Sequence, residues 1–391
     1  MCAVPVGARS FLQAARQLAP CIREAAPQIE QARALPRPLF EALADAGLFH
    51  MLIPKEVGGA ELDLPAYLEV IEELGRADGS TAWCINQGGV FATHACCVPP
   101  ALAREIWMNR PRSVVANTPA PTAIARPVPG GFLVSGRQPY GTGSPHASWI
   151  AARGTVHDDG GPRLLPDGAP DVRFFMMPVG EVTLLDTWHT HGLRGTGTHD
   201  FAMSDQFVPE HRTFSPTAPP RPEAGPLYVI NRNILFAIGD AGIALGVARS
   251  SVQAFVELAQ TKTPGYMSAR LDSVPLVHYE LGQAEALLRA ARSLLFETVR
   301  NVWASLSATG TITLEQRTDL RAATTFALRQ SASVVETVYN LAGASVVLTS
   351  HPIQRHFQDI HVITQHVQAR MAHYELIGQH VLGQPTDSRY I

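Results

Sequence analysis

Apolar residues recur at helical spacing in the first quarter of the chain and again in its last third, and alternate at strand spacing in between. Phe11, Leu12, Ala15, Leu18 and Ala19 make one face of a first helix. Leu39, Leu43 and Ala46 to Leu48 form a second stripe that stops at Gly47, and Leu64, Leu68, Ile71 and Leu74 repeat it before Gly75. IPKEVGGAELDLP, lying between these stripes, is punctuated by Pro and Gly and reads as a loop. Thr81 to Cys97 is nearly uncharged, so a helix there must be buried on most sides.

From about Ser113 to Arg212 the period changes. Pro129-Gly130-Gly131 joins ARPV to FLVSG as a hairpin would, and β-like runs follow at SWIAARGTV, VRFFMMPV, EVTLLDTW and DFAMSDQFV. The Pro-rich SPTAPPRPEAGP (Ser215 to Pro226) closes this region. Long helices are then predicted at about Leu227–Gln260, Val274–Ala308 and Thr313–Leu341, with a last one from Ser350 through Leu382. Gly239, Gly242 and Gly246 give the first of these a small-residue face on which another helix can approach closely. The predicted fold class is α+β, with an N-terminal helical domain (1–112), a central β-barrel or sandwich (113–214) and a C-terminal four-helix bundle (215–391).

Composition narrows the function classes. With 46% hydrophobic and 17% charged residues, the 391-residue chain has ample core. A net charge of −3, with no Lys/Arg block, gives no electrostatic footprint for nucleic acid or a membrane surface. No apolar run approaches the ~18 residues that span a bilayer. Arg9, Arg16 and Arg23, with no acid before Glu24, faintly resemble a transit peptide, but the first helical face already accounts for this stretch. The five cysteines (Cys2, Cys21, Cys84, Cys96, Cys97) form no CxxC, which suits a reducing compartment. A soluble, cytoplasmic protein is expected.

Three stretches carry candidate chemistry. SHPIQRHFQDIHVITQHVQ places His351, His356, His361 and His366 five residues apart. On one helix each five-residue step turns the side chain by about 140°, so the imidazoles disperse and no metal site is expected. QPYGTGSPHASW and THGLRGTGTH each contain Gly-Thr-Gly, where glycine lets a ligand approach the backbone and the hydroxyl can donate or accept. A plain tight turn has the same pattern. Neither stretch continues as GxGxxG into a helix, and no Walker loop, GxSxG elbow or paired-Cys motif is present. Arg194 can pair with a ligand phosphate or a local acid. His94, on the apolar third helix, is either a pocket residue or a core histidine, and Asn117 in VVANTP is a turn former or a ligand contact.

The α, β, α order resembles the acyl-CoA dehydrogenase superfamily over nearly the whole chain. IPKEVGGAELDLPAYLEVIEELGRADGSTAW is similar to its N-terminal domain, GLRGTGTHDFAMSDQFVPEHRTF to its central signature, and the final helices to its bundle. YGTG, HASW, LRGTGTHD and RHFQDIHVITQH more closely resemble the branch of two-component flavin-dependent monooxygenases, including phenol hydroxylases and dibenzothiophene monooxygenases.

The resemblance implies the oxygenase component of a two-component monooxygenase, which uses reduced FMN or FAD and O2, through a C4a-hydroperoxyflavin, to hydroxylate an aromatic, heteroaromatic or amine substrate. It implies catalytic roles for His366 near flavin C4a and for Thr142 near N5. Asn117, Thr142, Gly143, Trp149, Thr196 and Gly197 then bind the flavin, and His94 the substrate. Dehydrogenase relatives keep a carboxylate base on the last long helix or the first bundle helix. Here Gln365 and His366 occupy the former place, and the latter has no acid between Glu223 and Asp240. The FAD-pyrophosphate segments of the family read Arg270-Leu-Asp-Ser-Val and Tyr339-Asn-Leu-Ala-Gly-Ala, which favours FMN or loosely held FAD. A separate NAD(P)H:flavin reductase and a homotetramer are the implied partners. The alternatives are an FAD dehydrogenase acting on an acyl thioester and a non-catalytic flavin- or ligand-binding relative.

Overall fold

A computed structural model describes residues 8–110, 112–265 and 268–385; Cys2 and the side chain of Arg9 lie outside the described residues. The N-terminal region contains α1 (Ala8–Ala32), α2 (Arg37–Asp45), α3 (Leu64–Ala77), α4 (Gly79–Ala92) and the short α5 (Pro100–Ala103). The predicted stripes are the buried faces: Phe11, Ala15 and Ala19 continue through Ile22, Ala26 and Ile29, and every residue of α4 is buried. Gly75 does not stop α3. It lies inside the helix because a Cβ there would come within 2.8 Å of the Ile243 carbonyl oxygen on the crossing bundle helix. The break comes at Asp78, whose extended backbone ends α3 and whose carboxylate accepts the Thr81 N–H at 2.7 Å, capping α4.

Among the described residues nine strands follow: β1 (Val115–Asn117), β2 (Ala123–Val128), β3 (Gly131–Gly141), β4 (Trp149–Asp158), β5 (Gly161–Pro162), β6 (Val172–Pro178), β7 (Thr183–Leu185), β8 (His199–Pro209) and β9 (Thr213–Phe214). They pair in the order β7-β8-β3-β2-β4-β6-β9, with β1 and β5 joined to β4. The expected β2–β3 hairpin closes with Val128 opposite Gly131, and Gly130 takes the positive φ of 85° that such a tight loop demands. β1 and β2 both run parallel to β4, pairings that local turn signals do not announce.

The last region contains α6 (Arg232–Ala259), α7 (Pro275–Thr309), α8 (Leu314–Ala342), α9 (Pro352–Ile363) and α10 (His373–Val381). α6 is long and apolar enough to cross a membrane, contrary to the expectation that no run approaches that length. Its most apolar window is 83% buried, and the helix is packed against α3, α4, α8 and α9. The small-residue face is where α3 and α4 approach: Cβ atoms at Gly242 and Gly246 would overlap Leu68 and the Glu72 carbonyl, and one at Gly239 would overlap the Asn86 amide.

The predicted continuous helix from Ser350 to Leu382 is the main correction. α9 ends at Ile363, and His366 is extended (φ −64°, ψ 149°) before a single 3₁₀ turn, Val367–Ala369. Arginines of α8 take up polar groups freed by the break: Arg329 donates to the carbonyls of Thr364 and Ala369, and Arg321 donates to Gln368 Oε1 at 2.9 Å. The helical dispersion argument therefore covers His351, His356 and His361 but not His366. His351 caps α9, His356 is buried, and His361 lies 3.3 Å from Glu336.

Candidate active site

His366 is oriented by a carboxylate that sequence reasoning passed over. Its Nδ1 lies 2.8 Å from Oδ2 of Asp240, in the middle of α6. Asp240 is 1% exposed. Its other oxygen accepts from Asn86 Nδ2 at 2.8 Å and Gln87 Nε2 at 3.3 Å, both on α4, and Tyr67 of α3 donates to Asn86 Oδ1 at 2.7 Å. Buried Arg321 feels the same charge: burial pushes its guanidinium down, to about 10, and Asp240 opposes that shift. Trp83 packs edge-on against the imidazole with ring centres 5.1 Å apart. Three donors converge on two carboxylate oxygens, so Asp240 is satisfied and cannot serve as a free base. It leaves His366 with Nδ1–H bound and Nε2 as the available nitrogen. The signal was there to read, in a lone acid within the apolar stretch ILFAIGDAGIALG.

The two Gly-Thr-Gly loops form one structure. The Gly143 N–H donates to the Thr196 carbonyl at 2.9 Å, and Thr142 Oγ1 lies 3.1 Å from Thr198 Oγ1, itself 2.7 Å from Thr196 Oγ1. Thr196 donates to the Leu193 carbonyl at 2.8 Å, which sets the polarity of the whole row. With that proton committed, Thr198 must donate to Thr196 and Thr142 to Thr198. Thr142 is then left with acceptor lone pairs. Gly143 and Gly197 both take left-handed backbone, at φ 73° and 51°. A Cβ at Gly143 would meet nothing within 4 Å, whereas one at Gly197 would strike Pro145 at 2.7 Å. The first loop is thus open to a ligand, and the second supports it from behind.

Helix α4 ties these parts together. Trp83 touches His366, and the next residue, Cys84, approaches the Thr196 carbonyl (Sγ to O, 3.7 Å). A second tie runs from α9, where Asp359 accepts the Leu193 N–H at 2.6 Å while Leu193 holds a left-handed φ of 48°. Asp359 shares its buried surroundings with Asp78 and Glu30, and desolvation followed by those two charges pushes its carboxyl well above the usual range. Arg194 is engaged locally, donating to the Glu30 and Thr190 carbonyls.

The remaining candidates lie elsewhere. His94 is 5% exposed, its Nδ1 is 2.9 Å from the Phe91 carbonyl, and its ring lies among Phe91, Phe174 and Phe214. Burial, then Arg232, pushes it well below the usual histidine range. Trp149 belongs to the same cluster, under the Arg212 guanidinium at 4.9 Å, and lines a cavity of about 270 Å3 with Glu105, Asn109 and Ser148. Asn117 is half-buried at the end of β1, opposite Ala151 of β4. The structure thus unites Thr142, Gly143, Thr196 and Gly197, and reaches His366 through α4. Trp149 and His94 belong to a separate aromatic core.

A ligand with a donor N–H suits the open loop and the acceptor hydroxyl of Thr142. The acyl-CoA dehydrogenase N-terminal and C-terminal domain families match residues 8–96 and 238–371. The oxygenase subunit HsaA of a flavin-dependent monooxygenase from Mycobacterium tuberculosis is 29% identical, over 97% of this chain and 96% of its own length. An indole-3-acetate monooxygenase from Acinetobacter baumannii is 30% identical, over 84% and 82%. The crystal structure of the M. tuberculosis HsaA monooxygenase superposes with a TM-score of 0.86 at 28% identity, covering 98% of this chain and 100% of that one.

Proposed function

The chain belongs to the acyl-CoA dehydrogenase superfamily, among its flavin-dependent monooxygenases, and on that premise we propose that it is the oxygenase component of a two-component system. Its substrate class is an electron-rich aromatic, heteroaromatic or amine compound. The observation that carries this reading is the His366–Asp240 pair at 2.8 Å. A dehydrogenase needs a free carboxylate to remove a carbon-bound proton, and the acid near this site is already held by three donors.

Reduced flavin, when bound, supplies the electrons that activate O2 for transfer of one oxygen atom to the substrate. The residues that would hold it are Thr142 and Gly143, supported by Thr196 and Gly197, with Asn117 as a further contact on the β-domain side. Thr142 offers an acceptor to a donor N–H such as that at N5 of the reduced ring. His366 Nε2 takes the proton from a phenol, an indole N–H or an amine as the substrate is attacked. Asp240 holds the ring in the required tautomer and stabilises the imidazolium formed.

FMN, or loosely held FAD, is the preferred flavin: Arg270 is paired with Asp272 at 3.1 Å and Tyr339 is stacked on Phe357 at 4.2 Å, so both positions are locally engaged. A separate NAD(P)H:flavin reductase supplies the reduced flavin. The chain divides into domains 1–112, 113–214 and 215–391, the second a barrel or sandwich and the third a four-helix bundle. Leu276, Tyr279, Leu294, Val347 and Leu348 are exposed on the third and support assembly into a tetramer. The reading places the enzyme in the cytoplasm.

Anaerobically reduced FMN or FAD, mixed with the protein and a panel of phenols, indoles and aromatic amines, is exposed to isotopically labelled O2. One labelled oxygen atom in an organic product is expected. Recovery of all the label as hydrogen peroxide and water, with every compound and both flavins, overturns the proposal.

A further inference from the structure

The C-terminal end of α4 leads into a 3₁₀ turn, Thr93–Cys96, and then to Cys97. The two neighbouring sulfurs are 3.4 Å apart. Arg232, the first residue of α6, places Nη2 2.9 Å from Cys97 Sγ and 3.8 Å from Cys96 Sγ, while its Nε donates to Thr93 Oγ1 at 3.2 Å. Arg221 braces the turn from the interdomain linker. Its N–H donates to the Cys96 carbonyl at 2.9 Å, and its guanidinium binds the Ala95 and Val98 carbonyls and the Glu56 carboxylate. The pair is also graded in access, because Cys96 is buried and Cys97 only half-buried.

Such a setting favours a thiolate on Cys97 and a thiol on Cys96. A hydrogen bond from Cys96, joined by the Arg232 and Arg221 charges against the opposing effect of burial, holds the Cys97 thiol below the ordinary range. Its partner's thiol is pushed up, first by that same hydrogen bond and then by burial. The other described cysteines differ: Cys84 is buried and shifted upward by that burial, and Cys21 is exposed.

We propose that Cys97 is a hydroperoxide-reactive thiolate and that Cys96 resolves it, forming a vicinal disulfide at the foot of α6. In the first step Cys97 sulfur attacks hydrogen peroxide. An S–O bond forms, the O–O bond breaks, and the departing hydroxide takes up a proton to become water. Cys97 is oxidised by two electrons to a sulfenic acid and the peroxide is reduced. In the second step Cys96 gives up its proton and its sulfur attacks Cys97 sulfur. The S–O bond breaks and a second water leaves, so two thiols and one peroxide yield one disulfide and two waters. Adjacent Cα atoms stand about 3.8 Å apart, closer than the ~4.4–6.8 Å of ordinary disulfides, so the product is strained and a dithiol reductant returns it to the two thiols.

Hydrogen peroxide is the by-product whenever flavin-reduced oxygen fails to reach substrate, so the enzyme would meet this oxidant at its source. That supply rests on the function proposed above, whereas the thiol chemistry does not. Arg232 also begins the helix that carries Asp240, and its neighbour Asn233 accepts from Gln368 Nε2 at 3.4 Å, close to His366 in sequence.

The test uses the full chain, reduced, free of flavin and treated with added hydrogen peroxide. Peptide mass spectrometry should show the Cys96–Cys97 peptide losing two hydrogens, reversibly with dithiothreitol. At pH 7 in the untreated protein, iodoacetamide should alkylate Cys97, the sulfur beside the Arg232 guanidinium, about 10-fold faster than the exposed Cys21. In Cys96→Ser, dimedone should trap a sulfenic acid at Cys97, and in Cys97→Ser the remaining Cys96 should stay reduced. Alkylation or oxidation of Cys97 no faster than Cys21 in the native chain overturns the proposal even if a variant fails to fold. So does the lack of a dimedone adduct in folded Cys96→Ser. Because no flavin is present, failure here leaves the oxygenase reading standing, and failure of oxygen transfer leaves this one.

Discussion

Helix α4 passes two histidines with opposite surroundings. Near its start, Trp83 backs His366, which is 29% exposed at the side chain and bound to a buried carboxylate. Just past its end, His94 sits among three phenylalanines with the Phe91 carbonyl as its polar partner. The first imidazole keeps a free nitrogen, access and an oriented tautomer, all of which proton transfer requires. The second is enclosed and held neutral, and it fills space. Residue type and apolar neighbours are alike at the two ends, so what separates a candidate base from a core histidine is the carboxylate brought by α6.

The largest break in this contrast is expected from His366→Ala. Oxygenated product per flavin oxidised should fall on the order of 100-fold or more, with hydrogen peroxide rising in its place, at a stability cost of about 1–3 kcal/mol from the lost bond to buried Asp240. A folded His366→Ala variant that retains full product yield would remove the residue from the chemistry. His94→Ala should behave in the opposite way. Losing its packing and its bond to Phe91 should cost about 2–3 kcal/mol in chemical denaturation, with product yield per folded molecule retained. Unchanged stability together with a collapsed yield would return His94 to the substrate pocket.

The smallest effect concerns the carboxylates around the start of α4. Burial, then the Asp78 charge, raises the Glu30 carboxyl from 4.5 to about 7. The folded protein therefore favours the protonated form. The stability this gives is fully present below pH 4.5, declines as the pH rises through about 7 and is absent above it. Glu30→Gln should accordingly stabilise the protein by about 1 kcal/mol at pH 8 and by much less at pH 5, measured by urea denaturation at both values. Equal effects at the two values would show that Glu30 is not carrying a raised carboxyl.

Much of the architecture can be read from local pattern. The α1 and α2 stripes, the Pro129-Gly130 hairpin, the fully buried α4 and the glycine face of α6 all follow from spacing, because each is set by residues within a few turns of one another. Gly75 misleads for the same reason: a glycine near the end of a stripe looks like a stop, and only the crossing of α6 shows why it stands inside a helix.

What the sequence by itself determined was the alternation of helical and strand periods, the two Gly-Thr-Gly loops, the family resemblance and His366 as the imidazole of interest. Only the tertiary structure decided how these act together. Asp240 is 126 positions from His366, and Thr142 is 56 from Thr198, so neither pairing leaves a periodic trace. The end of α9 before His366 depends on arginines from α8 that accommodate the freed carbonyls, a long-range choice that apolar spacing cannot encode. Hydrogen bonds between distant segments carry free energy but no sequence period, and for that reason the fold was legible in the chain where the orientation of its reactive groups was not.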